Sequence, residues 1–266
     1  MNFINIILLG FLQGLTEFFP ISSSGHLMIG KILLGINSYG SSVDIVLHLG
    51  TLLSILIFWK KDLKIEIRDF KRGDRKLFFT IFVACLPAIF VGFFLNDKIE
   101  NYFFNIDYEN SFPNFLIFNY IAMFFFIFIT KYFHKNNKTD IIYIHAFIIG
   151  LMQCIAFMPG ISRSGITILA ALMLGYSFRK AIKFSFYLAI PILMFAGFKL
   201  LLDNFNTFTF DMYLSSILAL GFVASFIFGY IILHFLDVII KNKKFWFFSF
   251  YCLLISILLL VYNYGF

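Results

Sequence analysis

Six stretches of this chain are each long and apolar enough to cross a lipid bilayer, at roughly 42–59, 77–95, 114–133, 184–202, 212–235 and 245–263. A spanning helix needs ~20 mostly apolar residues, because the hydrocarbon core holds no water to satisfy an open backbone. Six such runs predict an all-α polytopic membrane protein, a single membrane domain over residues 1–266. The composition agrees. Of the 266 residues 61% are hydrophobic and 13% charged, against ~25% charged in a soluble domain. The apolar N-terminus lacks a basic n-region and a small-residue cleavage pattern, so no cleaved signal peptide is expected. Cys85, Cys154 and Cys252 lie in apolar segments without ligand spacing and read as packed thiols.

Two further apolar regions, 2–34 and 141–175, are broken midway by polar stretches. The first reads Gln13-Gly14-Leu15-Thr16-Glu17-Phe18-Phe19-Pro20-Ile21-Ser22-Ser23-Ser24-Gly25-His26. The second reads Gln153-Cys154-Ile155-Ala156-Phe157-Met158-Pro159-Gly160-Ile161-Ser162-Arg163-Ser164-Gly165. Each region is long enough to enter and leave the membrane as two half-helices around a polar turn. Non-helical backbone at that depth is tolerated only inside protein or beside a water-filled cavity.

Loop charge orients the chain. Segment 60–76 holds eight Lys/Arg, and 131–140, 176–183 and 237–244 hold three each, which is 17 of the 21. Segment 96–113 holds only Lys98 against four acids, and 203–211 holds no Lys or Arg. The positive-inside rule places the first group in the cytoplasm and the second outside. The net charge of +7 is therefore a topology signal and predicts no nucleic-acid partner. Threading the chain under this constraint gives each half one re-entrant hairpin and three spans, in opposite orientation. The halves are about 1–135 and 136–266. At an offset of 140, residues 10–35 and 150–175 agree at eight of 26 positions, among them Gly10/Gly150, Gln13/Gln153, Ser22/Ser162, Ser24/Ser164 and Gly25/Gly165. An inverted-topology repeat places a site near mid-membrane, where broken helices of the two halves meet.

A carboxylate, an imidazole, a guanidinium and several hydroxyls at membrane depth mark a functional site by default. Gln13 and Glu17, four apart, share a face of the incoming half-helix. Ser22, Ser23, Ser24 and Gly25 form a turn, and His26 lies in the outgoing half-helix. In the second copy Ser162, Arg163, Ser164 and Gly165 open a helix, with Thr167 following. Two helix N-termini facing each other attract an anion, and Arg163 adds a planar fork suited to phosphate oxygens. Ser23 is a candidate nucleophile, with His26 three residues away as its candidate base. Glu17 is placed either to hold a divalent cation, Mg²⁺ or Ca²⁺, together with substrate phosphates, or to orient His26. Plainer readings stand beside these: Glu17 paired with Arg163 or Lys31, and Ser22, Ser162 and Ser164 as helix caps. Asp44 and His48 share a helix face and either line the cavity or pair locally.

These motifs resemble the signature of the undecaprenyl-diphosphate phosphatase family, also known as bacitracin-resistance proteins. The family's (Glu/Gln)-x-x-x-Glu followed by Pro-x-Ser-Ser-x-Gly-His appears as Gln13 to Glu17 and Pro20 to His26. Its Pro-Gly-x-Ser-Arg-Ser-x-x-Thr appears as Pro159 to Thr167 with every defined position filled. The stretch Asp44 to Thr51 resembles its next helix, and the likeness runs end to end. It implies hydrolysis of the C55 polyprenyl diphosphate to the monophosphate in the bacterial cytoplasmic (inner) membrane. That reaction recycles the lipid carrier for cell-wall synthesis and confers bacitracin resistance. It further implies Ser23, His26, Arg163 and Glu17 as the reacting set, a site on the outer face, and a homodimer as partner state. Gln13 departs from the Glu common in the family, which weakens a two-carboxylate metal site. The competing reading is a transporter or flippase for an anionic polyprenyl lipid, since the same architecture serves secondary transporters.

The topology makes a direct prediction. A cysteine introduced at position 105 is expected to react with a membrane-impermeant thiol reagent applied from outside, and one at position 73 to stay unlabelled. The reverse pattern inverts the assignment.

Overall fold

A computed structural model describes residues 2–36, 41–95, 98, 112–133, 137–138, 140–203, 212–241 and 244–265. It is helical throughout these residues apart from turns and one isolated bridge between Lys138 and Tyr176. The helices are α1 (Phe3–Thr16), α2 (Ser23–Leu33), α3 (Ser41–Phe58), α4 (Lys60–Lys71), α5 (Lys76–Phe94), α6 (Asn114–Phe128), α7 (Tyr143–Gln153), α8 (Arg163–Met173), α9 (Phe178–Asp203), α10 (Met212–Lys241) and α11 (Phe248–Tyr264). Five segments among the described residues are long and apolar enough to cross a membrane: Lys76–Phe94, Asn114–Phe133, Phe178–Lys199, Tyr213–Leu236 and Phe245–Tyr264. These match five of the expected runs. The sixth, α3, joins α4 through a 75° bend, and counting that pair as one span gives six. The chain is a multi-pass helical membrane protein.

The two broken regions differ from the spans in length. Helix α1 has 14 residues, and α2, α7 and α8 have 11 each. At a rise of ~1.5 Å per residue none reaches the ~30 Å of the hydrocarbon core. Both breaks fall where the sequence places them, at Pro20 and at Pro159-Gly160.

One expectation needs correcting. The basic segment 60–76 is read from sequence as a loop, but most of it is α4, a helix with no buried residue. Its polar composition hides it among the apolar runs, while Leu63, Ile67 and Phe70, at i, i+4 and i+7, give it an apolar side. Lys183 on α9 ties α4 down, with its Nζ 2.7 Å from Asp62 and 3.7 Å from Glu66. Position 105, chosen for the labelling test, lies outside the described residues, as do most of 96–113 and 203–211.

Each hairpin docks through small residues on a span distant in sequence. On α1, a Cβ at Gly10 would sit 2.7 Å from the Ala224 side chain and 2.8 Å from the Gly221 carbonyl of α10. On α7, Gly150 lies so close to α5 that a Cβ would collide with the Ala84 carbonyl. Small residues let membrane helices approach to backbone contact, which substitutes for a hydrophobic driving force that lipid does not supply. Gly150→Ala is therefore expected to destabilise by about 1–3 kcal/mol, the usual cost of overpacking. Gly92→Ala, whose Cβ would meet only Phe157 at 3.5 Å, should leave the melting temperature in detergent unchanged.

Candidate active site

The first hairpin presents its polar groups through a set of local constraints. The Thr16 hydroxyl turns back to the Leu12 carbonyl at 2.6 Å, and Pro20 cannot continue the helix. Glu17 thus stands at the open end of α1. Ser22 has φ of +66°, a conformation rare for a residue with a Cβ. Its hydroxyl accepts from the Gly25 N–H at 3.3 Å and caps α2. Its carbonyl accepts from the His26 N–H at 3.2 Å and from the His26 ring Nδ1–H at 2.7 Å. This bracing sets Ser23 as the first residue of α2. Its hydroxyl donates to Glu17 Oε2 at 2.6 Å.

The second hairpin repeats the cap with different chemistry. Gly160 takes φ of +92°, and Ser162 Oγ accepts from the Gly165 N–H at 3.1 Å. Arg163 opens α8. Its Nη2 donates to Glu17 Oε1 at 2.8 Å and its Nη1 to the Ser185 carbonyl at 3.3 Å. The two tips touch directly. Ser164 Oγ donates to the Phe19 carbonyl at 3.3 Å. A Cβ on Gly25 would come within 3.0 Å of Gly160 Cα, and one on Gly165 within 3.2 Å of Pro20.

Between them lies a cavity of about 180 Å³. Glu17, Ser23, Ser24, Ser162, Arg163 and Ser164 line it together with His48 and Gln153, and Ala88, Ala156, Phe157, Ile161, Ile192 and Leu193 complete the lining with apolar groups. Sites that enclose a whole drug-sized ligand run to ~300–1,000 Å³, so this one suits a small anionic headgroup whose apolar remainder stays outside. A larger cavity of about 220 Å³ lies away from the hairpins, among Glu66, Asp69, Asp74, Lys76, Asp140 and Lys180. It has neither a guanidinium nor a serine, and its acids are partly countered by its own lysines.

The structure rearranges the sequence-derived candidates. His26 and Ser23 do not meet, which corrects the expected base–nucleophile pair. The His26 Nδ1–H is committed to Ser22, with the Tyr120 hydroxyl also 3.0 Å from Nδ1, and Nε2 accepts from the Tyr251 hydroxyl at 2.8 Å. Spacing alone did not show that the serine and the imidazole take different partners, Glu17 for one and Ser22, Tyr120 and Tyr251 for the other. Glu17 does not orient His26; it holds Ser23 and Arg163 instead. His48 takes a place beside Glu17. Its Nδ1–H donates to the Asp44 carbonyl at 2.7 Å, which leaves Nε2 turned to Glu17 Oε2 at 3.5 Å. Asp44 lies off the cavity, bound to Lys31 at 2.7 Å. Gln13 donates to Glu17 Oε2 at 3.0 Å from beneath, and Thr167 bonds Ser185 Oγ at 2.7 Å; neither lines the cavity. Gly25 and Gly165 serve the crossing of the tips. Tyr120, Tyr251 and Gln153 carried no signal beyond the last one's repeat position.

The donor set bears on a divalent cation. Among the described residues no group of three or more His, Cys, Asp or Glu side chains converges on a point, and Glu17 is the only carboxylate lining the cavity. Both its oxygens already carry hydrogen bonds, one from a guanidinium. These residues do not build a resident metal site. They fit an ion that arrives with phosphate oxygens and takes one protein carboxylate.

A cavity lined by an arginine, a carboxylate and serines, built from broken helices in a multi-pass membrane protein, is a candidate membrane-embedded site for an anionic headgroup. The chain belongs to the family described as bacitracin resistance protein BacA, whose profile matches residues 6–258. It is 36% identical to an undecaprenyl-diphosphatase of Caldicellulosiruptor bescii over 98% of each chain. It is 38% identical to one of Thermosipho africanus, covering 96% of this chain and 98% of that protein. It is 33% identical to one of Halothermothrix orenii over 98% of each.

The ion pair makes a stability prediction that does not depend on the reaction. Glu17 and Arg163 side chains are 5% and 19% exposed. Removing one partner of such a pair strands the other and costs about 3–5 kcal/mol. Arg163→Met should therefore lower the melting temperature sharply, and Glu17→Gln added to it should recover most of the loss.

Proposed function

We propose that this protein hydrolyses undecaprenyl diphosphate to the monophosphate and phosphate. The reaction recycles the lipid carrier of cell-wall synthesis and confers bacitracin resistance. Family membership and the activity for which the relatives are named support the reaction. The observation that carries the chemistry is the Ser23 hydroxyl, 2.6 Å from Glu17 inside the cavity that Arg163 also lines. A carrier would need the anion pocket but has no use for a serine hydrogen-bonded to a carboxylate.

In this reading the headgroup meets the polar lining groups and the prenyl chain leaves over the apolar ones into lipid. Ser23 Oγ attacks the distal phosphorus while its proton passes to Glu17 Oε2. The Oγ–P bond forms and the bridging P–O bond breaks. Its electron pair stays on the bridging oxygen, which becomes a terminal oxygen of the lipid monophosphate. Arg163 and the uncapped N–H groups opening α2 and α8 receive the charge spread over the transferring oxygens. Water then attacks the phosphoserine and the proton on Glu17 returns to Oγ. Direct attack by a water held on Glu17 uses the same groups without the covalent step. His26 acts by bracing Ser22, and His48 supports Glu17. A divalent cation arriving with the substrate would be held by Glu17 and would withdraw charge from the phosphate oxygens.

The finer architecture belongs to the same proposal: six spans, two re-entrant hairpins and an inverted repeat. Gly10 and Gly150, repeat mates, each press their half-helix onto a span from the opposite half. The bacterial cytoplasmic membrane, the outward-facing site and a homodimer complete it.

Purified protein in detergent is expected to release phosphate from a polyprenyl diphosphate, measured with and without added divalent cation; folded protein inert under both conditions would refute the proposal. Ser23→Ala should cut kcat by more than ~10³-fold without lowering the melting temperature, and an active variant would shift the reaction to direct water attack.

A further inference from the structure

Gln153 is the last residue of α7 and is 3% exposed. It lines the cavity between the hairpins, and among the described residues neither its Oε1 nor its Nε2 has a hydrogen-bond partner. Buried amides without partners are rare, because burial strips their water and returns nothing. Nor is the side chain loosely placed. One turn earlier, Gly150 presses α7 onto the backbone of α5 at Ala84, so the amide is carried on a closely packed helix end.

Comparison with its repeat mate shows what was lost. Gln13 Nε2 donates to Glu17 at 3.0 Å and to Thr51 Oγ1 at 3.5 Å. At the offset of 140, Phe157 stands in place of Glu17 and Pro191 in place of Thr51. The second copy kept the amide and replaced both of its partners with groups that cannot bond it. The cavity it lines also holds Arg163 and the start of α8, which together select an anion. The oxygens of that anion are acceptors, so they take the Nε2 end of the amide and repel Oε1, which fixes how the amide turns.

We infer that Gln153 is a substrate-contacting residue, donating Nε2–H to a non-bridging oxygen of the bound diphosphate. The inference rests on the reading of the cavity as a diphosphate site.

The test uses the full chain in detergent, with melting temperature and steady-state kinetics on a polyprenyl diphosphate measured for Gln153→Met, Gln153→Asn and Gln153→Glu. Methionine keeps the volume and removes the orphan amide. Its melting temperature is expected to equal or exceed that of the unmodified protein, while kcat/KM falls ~10–100-fold, mainly through KM. Asparagine, with a shorter reach, should show the same kinetic loss. Glutamate, facing phosphate, should lose more than methionine. Gln153→Met with kcat/KM within ~2-fold of the unmodified protein overturns the inference. So does a melting temperature that falls in step with activity, which would mark the amide as structural. If the unmodified protein is inert on the lipid, the reading of the cavity falls and this inference with it; an active protein with an unimpaired Gln153→Met removes the inference alone.

Discussion

The contact between Glu17 and Arg163 is the interaction on which the rest depends. Neither charge is affordable alone at this depth, and each comes from a different hairpin, 146 residues apart in the chain. Their pairing at 2.8 Å forces the two broken helices tip to tip. That approach is possible only because Gly25, Gly160 and Gly165 leave room for backbone to meet backbone. The same pairing leaves the carboxylate with a free flank, and Ser23 occupies it. A substrate phosphate that draws Arg163 toward itself would loosen the guanidinium's hold on Glu17 and leave the carboxylate freer to take the serine proton.

Much of this was legible in the sequence. Runs of apolar residues announce spanning helices because the bilayer permits little else. Pro20 and Pro159-Gly160 mark the breaks because each adjoins a run of serine and glycine that favours a turn, whereas Pro87 and Pro191, set among apolar residues, lie within helices. The capping serines were legible for the same reason, as hydroxyls placed three residues before the N–H they satisfy. Helix α4 was not, because a search for hydrophobicity passes over an amphipathic helix rich in lysine.

The site was legible in its parts and misread in its wiring. Spacing of three places Ser23 and His26 on one face of α2, but a shared face does not decide which partner each side chain takes. In the fold Ser23 turns to Glu17 and His26 turns to Tyr251. No sequence pattern could name Tyr251, because it approaches from 225 residues away. Gln153 is the opposite case. Its repeat position was visible, but only coordinates reveal that its partners are gone. A repeat that keeps a residue while discarding its contacts points to a contact made with something other than the protein.

The packing of α1 on α10 bears on how the chain is made. Gly10 and Gly14 rest on the backbone between Gly221 and Gly229, so the glycine stripe of the first half-helix lacks its partner until nearly all of the chain has been synthesised. A 14-residue helix ending in a buried carboxylate is a poor candidate to sit alone in lipid. Arg163, which neutralises that carboxylate, is also made late. Long-range contacts of this kind close last. The pocket needs residues as late as Leu193, and α1 its bed on α10, so the site settles only after most of the chain has been made.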